Sequence, residues 1–151
     1  MSQLIANNST PSVTIGGRNI TDLANLILLV GGVSGANYTS LRKPESSSGY
    51  QVPASKVFRI LAMEVTVTTA VAGGAHILYA DNDIGLSQAG PPTNPVYPGA
   101  TTTSQNGIVA STATAGKIEI PLRWDIPTGK YILARSDGAA FTVNRVWGVE
   151  V

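Results

Sequence analysis

The chain reads as an all-β protein, a two-sheet β-sandwich with the jelly roll among its forms. Three observations carry that expectation. Long runs are rich in Thr, Val, Gly and Pro; apolar and polar residues alternate along them from Lys56 onward; and turn signals separate the runs at a spacing typical of sandwich strands. With 151 residues, one domain and one substantial core are expected.

Residues 1–18 are polar, with Pro11 and Gly16-Gly17, and read as an extended N-terminal arm; residues 19–151 form the sandwich domain. The run from Asn19 to Val30 has two readings. Asn19 or Thr21 would cap a short helix with Leu23, Leu26, Ile27 and Val30 on one stripe and Gly31 at its end; a buried strand fits the same residues. Tyr38 to Gln51 is loop with one short edge strand. Val57 to Thr68 is a long strand, apolar on both sides in its first half and polar on one side later. Gly73-Gly74 then turns the chain, and Ala75 to Tyr79 returns as its hairpin partner.

Residues 81–106, dense in Gly, Pro, Asn, Ser and Thr, make the longest irregular region, a length that usually signals function or an interface. Three strands close the chain. Ile118, Ile120, Leu122 and Trp124 alternate with polar residues, and Pro121 marks an edge or a bulge. Asp125 to Gly129 turns into the strand Lys130–Arg135. In the last strand Phe141, Val143, Arg145, Trp147, Val149 and Val151 share one face.

The chemistry on offer is sparse. The chain has no cysteine and a single histidine, His76, which reads as structural in the absence of a nucleophile motif around it. No catalytic residue is assigned, no enzyme activity is expected and no cofactor motif is present. Asp81-Asn82-Asp83-Ile84-Gly85 resembles the first half of a calcium loop, so Asp81 and Asp83 are the metal candidates. The distal glutamate of such a loop is missing, and Asp, Asn and Gly equally build tight turns. Trp124 and Trp147 fall in phase with apolar neighbours and read as core. Tyr97, between Pro95 and Pro98, is the ring expected to be exposed.

Charged residues make up only 13% of the chain and the net charge is +1, which argues against non-specific nucleic-acid binding, since that needs a concentrated basic face. The longest apolar stretch, Leu23 to Val33, falls short of the roughly 20 residues that cross a bilayer, and the amino terminus does not resemble a secretory signal. A cysteine-free chain suits synthesis in a reducing cytoplasm.

The layout resembles capsid decoration, or cement, proteins of tailed bacteriophages. The residues that carry the likeness are the uncharged arm, Tyr79 to Gly85, Asp125-Ile126-Pro127-Thr128-Gly129-Lys130-Tyr131, and a strand running to the last residue. The resemblance implies a homotrimer made in the host cytoplasm. It would sit on the virion's capsid surface, binding the major capsid protein and cementing the shell. On the physical reading, residues 1–18 are expected to order on the capsid by adding a strand to a subunit edge. The alternative is a glycan- or receptor-binding module of a tail fibre or spike, which requires an exposed aromatic platform.

Overall fold

The computed structural model describes residues 13–15, 18–20, 25–34, 37–69, 74–97, 115–136 and 140–151. Among these the secondary structure is β throughout: β1 (Val13–Ile15), β2 (Arg18–Ile20), β3 (Leu26–Ser34), β4 (Thr39–Ser40), β5 (Phe58–Val67), β6 (Ala75–Ala80), β7 (Gly116–Ile126), β8 (Tyr131–Ser136) and β9 (Phe141–Glu150). The helix weighed for residues 19–30 is not formed over its described part: Leu26–Val30 belongs to β3. The apolar run is better served there because Ile27 and Leu29 reach the core from alternate positions of a strand. Gly31-Gly32, expected to end a helix, instead coincides with a break in the β3–β9 register between Val30 and Val33.

β1 and β2 form a small hairpin that straddles residue 18. From β3 onward, successive strands go to opposite sheets. One sheet has the order β3-β9-β5-β7 and the other β4-β8-β6, all antiparallel. Val96 bridges Tyr79 on the free edge of β6, where a further strand would lie. Counted with that bridge, the orders from β3 become first-eighth-third-sixth and second-seventh-fourth-fifth. This is the jelly-roll arrangement of two interlocked Greek keys. The hairpin expected between β5 and β6 is therefore corrected: β5 pairs with β7 and β9, and β6 crosses to the other sheet.

Between the sheets lie Phe58, Ile60, Met63, Val65 and Val67 of β5, Ile77 of β6, Ile126 of β7, Ile132 and Ala134 of β8, and Phe141, Val143 and Val146 of β9, all buried. Two bulges explain the puzzling sequence pattern of β5 and β9. Register breaks fall between Ile60 and Ala62 on β5 and opposite Asn144 on β9. Each inserts one residue and so flips the side-chain phase. On β5, Phe58 and Ile60 point inward before the break and Met63, Val65 and Val67 after it. A strand that looked apolar on both sides is thus one-sided with a phase slip. On β9 the inward set changes from Phe141 and Val143 to Val146 and Gly148. Trp147 and Val149 therefore do not share a face with Phe141, as strict alternation had them.

Trp124 packs where expected, at the rim of the main core with its ring 5.3 Å from that of Tyr79. Pro121 satisfies both readings offered for it, since β7 is an edge strand and its register with β5 breaks beside Pro121. Gly148 permits the closest approach in the core: a Cβ there would overlap the ring of Phe58 and the carbonyl oxygen of Arg59. Gly148→Ala is expected to lower unfolding free energy by about 1–3 kcal/mol in urea titration. Gly90→Ala, where a Cβ meets open space, should leave it within about 0.5 kcal/mol.

Candidate interaction surface

The two outer faces of the sandwich are treated differently by the chain. The three-stranded sheet is covered by the irregular segment that follows β6. Tyr38, Leu78, Ala80, Leu133 and Tyr97 form a second buried cluster beneath residues 81–97, with Ile84 and Tyr131 packed against it. Backbone bonds fix this cover: Tyr38 and Gln88 exchange two, Tyr79 and Val96 exchange two, and Ser40 donates to the Gly85 carbonyl. The described part of the long irregular region, residues 81–97, thus lies on its own domain; residues 98–106 fall outside the described residues.

Tyr97, expected at the surface, is buried. Its hydroxyl donates to that of Tyr38 at 3.2 Å, and His76 meets its ring edge-on with centroids 6.2 Å apart. Burial, reinforced by Tyr38, pushes the Tyr97 hydroxyl well above the ordinary tyrosine range. The sequence missed this because a Pro-flanked tyrosine looks like a loop tip, while the strand edge it folds onto is distant in sequence. His76 is itself buried, on the same face of β6 as Leu78 and Ala80.

Asp81 and Asp83 are drawn apart by this cover. Asp81 forms an ion pair with Lys130 and accepts from the Asn94 side chain at 2.8 Å. Asp83 accepts from the backbone N–H of Gly85 at 3.0 Å and of Gly49 at 2.9 Å, pinning the loop to the segment after β4. Burial opposes the Asp83 charge, but the Gly85 and Gly49 donors, the Ser40 hydroxyl and the nearby Arg42 outweigh it, so the carboxyl titrates below its usual range. Among the described residues no three His, Asp or Glu side chains cluster as metal ligands would.

The outer face of the four-stranded sheet has no such cover among the described residues. The pairings place its side chains in rows: Leu26, Val149, Arg59 and Asp125; then Leu28, Trp147 and Ala62; then Val30, Arg145, Glu64 and Glu119. The β3 side is apolar and the β7 side polar. Trp147, assigned to the core from sequence, belongs here. It is half-buried, packing with Leu26 and Leu61 over a fully buried Ala62. The bulge at Asn144 is the physical reason, since it carries Trp147 to the outside.

The same bulge sets Asn144 and Arg145 side by side next to the ring. Asn144 donates to Glu64 Oε1 at 3.0 Å and to the Thr66 hydroxyl at 2.7 Å. The Arg145 Nε lies 3.5 Å from the same Glu64 oxygen, and its guanidinium stands 5.9 Å over the Trp147 ring. Further along, Arg59 donates twice to Asp125, at 2.9 and 3.1 Å, which holds that carboxyl below its usual range. This face carries a half-buried apolar row bordered by fixed hydrogen-bonding groups.

No family model, curated protein or solved structure matches the chain.

The pinning of the loop by Asp83 has a definite pH signature. A carboxyl whose pKa falls on folding stabilises the fold above its unfolded value, near 4, and loses that contribution as pH drops through its lower folded value. Urea unfolding should show wild type more stable than Asp83→Asn by an amount that is constant from about pH 5 to 7 and shrinks below about pH 4. A gap that persists undiminished to about pH 2 would contradict that role for the carboxylate.

Proposed function

We propose that this protein is a non-enzymatic structural component of a virion. It binds the outside of a phage capsid through the four-stranded sheet and stabilises the shell. The observation that carries the reading is the half-buried apolar group of Leu26, Leu28, Trp147 and Val149, with Ala62 buried beneath it, on a face that no described segment covers, while the opposite face is sealed. A partly buried apolar row of this kind gains further burial when the domain is seated on a protein lattice. The jelly-roll topology is in keeping, being common in capsid and lectin domains. The resemblance of the sequence to decoration proteins supplies the partner, the major capsid protein, and the homotrimeric state.

Trp147→Arg places a charge at the centre of the patch and should abolish cosedimentation with capsids, while Leu86→Arg, on the exposed loop of the sealed side, should not. Both variants should melt as single cooperative units. Retained binding by a folded Trp147→Arg variant would reject this face as the contact. Light scattering should give the mass of three chains; a monomer that stays monomeric on capsids would remove the trimer from the proposal.

One observation favours the glycan-binding alternative: Trp147 stands outside the core with Asn144, Arg145 and Glu64 around it, the types of group that stack on and hydrogen-bond to a sugar. Binding on a glycan array that Trp147→Ala removes would favour that reading over capsid decoration.

A further inference from the structure

The half-buried apolar row ends at a sheet edge that is open among the described residues, and the details of that edge specify what it can accept. β3 is the outermost strand of its sheet, paired with β9 on one side. On its other side Val30 and Arg42 exchange two backbone bonds, at 2.7 and 3.0 Å. Backbone direction alternates along a strand, so the N–H and C=O groups of Leu28 and Leu26 point to that same outer side. Among the described residues, Val30 with Arg42 is the one backbone pair on this side of Leu26–Val30.

Two clefts open beside these two residues. One, of about 220 Å³, is lined by Asn25, Leu26, Ile27, Lys56 and Glu150. The other, of about 340 Å³, is lined by Leu26, Ile27, Leu28, Lys43 and Pro44. Backbone without a partner among the described residues, flanked by small partly apolar clefts, is the arrangement that receives an added strand, whose main chain pairs with the edge while its side chains fill the clefts.

The charges choose among occupants. Lys56 stands at one cleft and Lys43 at the other, both exposed, and the one carboxylate that lines either cleft, Glu150, already accepts from the Tyr50 hydroxyl at 2.6 Å. Two copies of this edge paired antiparallel would bring lysine against lysine, the device by which edge strands refuse self-pairing. A strand with carboxylates on both flanks meets no such repulsion.

We infer that the Leu26–Leu28 edge of β3 is a strand-docking site for an extended segment of the partner protein, apolar at alternate positions and acidic at its ends. The inference rests on the reading of the four-stranded sheet as the contact face, and identifies how the partner is held there.

The test uses the full chain and a synthetic peptide, Glu-Val-Thr-Val-Thr-Val-Glu, followed by hydrogen exchange resolved to single amides. Saturating peptide should slow the Leu26 and Leu28 amides by about tenfold or more and leave that of Leu29, already turned to β9, unchanged. The same peptide N-methylated at alternate residues should give no protection, and the double variant Lys43→Glu, Lys56→Glu should bind the acidic peptide about tenfold more weakly. Equal exchange with and without peptide would overturn the inference. So would Leu26 and Leu28 amides already as slow as Leu29 in the free protein, because the chain would then close its own edge. If the peptide fails while Trp147→Arg still abolishes capsid binding, the contact face stands and only the docked strand is lost.

Discussion

The structure depends on the last strand being inserted between the first and third strands of its sheet. β9 pairs with β3 on one side and β5 on the other, so the four-stranded sheet does not exist until β9 is in place. Gly148 makes the insertion possible, because any side chain at that point would strike Phe58 of the neighbouring strand. The same non-local closure ties down the end of the chain: Val151 and Val57 exchange two backbone bonds and Tyr50 reaches Glu150. Folding must pay the loop-closure entropy of joining residues more than a hundred positions apart before these contacts return anything, which places the domain among slow, topology-limited folders.

The two bulges convert this closure into a functional asymmetry. Without the extra residue at Asn144, Trp147 would fall on the core side and Val146 on the outside. With it, the core receives a valine that fits beside Phe58 and Ile60, and the outer face receives an indole with arginine, asparagine and glutamate at its border. The sealed side shows the contrasting solution, in which a segment without regular structure is held by Asp83, Tyr38 and Tyr97 and buries a second small core. One face of the sandwich is covered by its own chain and the other has no cover among the described residues.

How much of this could be read in the sequence follows from how local each feature is. The strands β5 to β9, the short β4 and the turn after Ile126 were legible because alternation and Gly/Pro punctuation are local signals. The sandwich class followed from their number and spacing. The partnering of strands was not legible: Gly73-Gly74 looks the same whether the chain turns back into a hairpin or crosses to the other sheet. The phase slips were hidden because a bulge leaves composition unchanged. They hid Trp147 in turn, since strict alternation groups it with Phe141 and Val143. Tyr97 and Asp83 were misjudged or left open for a related reason, as their partners Tyr38 and Gly49 lie decades of residues away.

The placement of the first and last strands of the sandwich has a mechanical consequence. Leu26 opposes Val149, so the chain enters β3 and leaves β9 at the same end of one antiparallel pair. A load applied through the start of β3 and the end of β9 would open that pair like a zip, one rung at a time, beginning with the bonds between Ile27 and Gly148. A load spread over the sheet face meets every rung together. The domain is therefore built to resist pressure on its face and to yield to tension between its ends. A tether attached at both ends would unravel it at forces that a lattice pressing on the sheet would not.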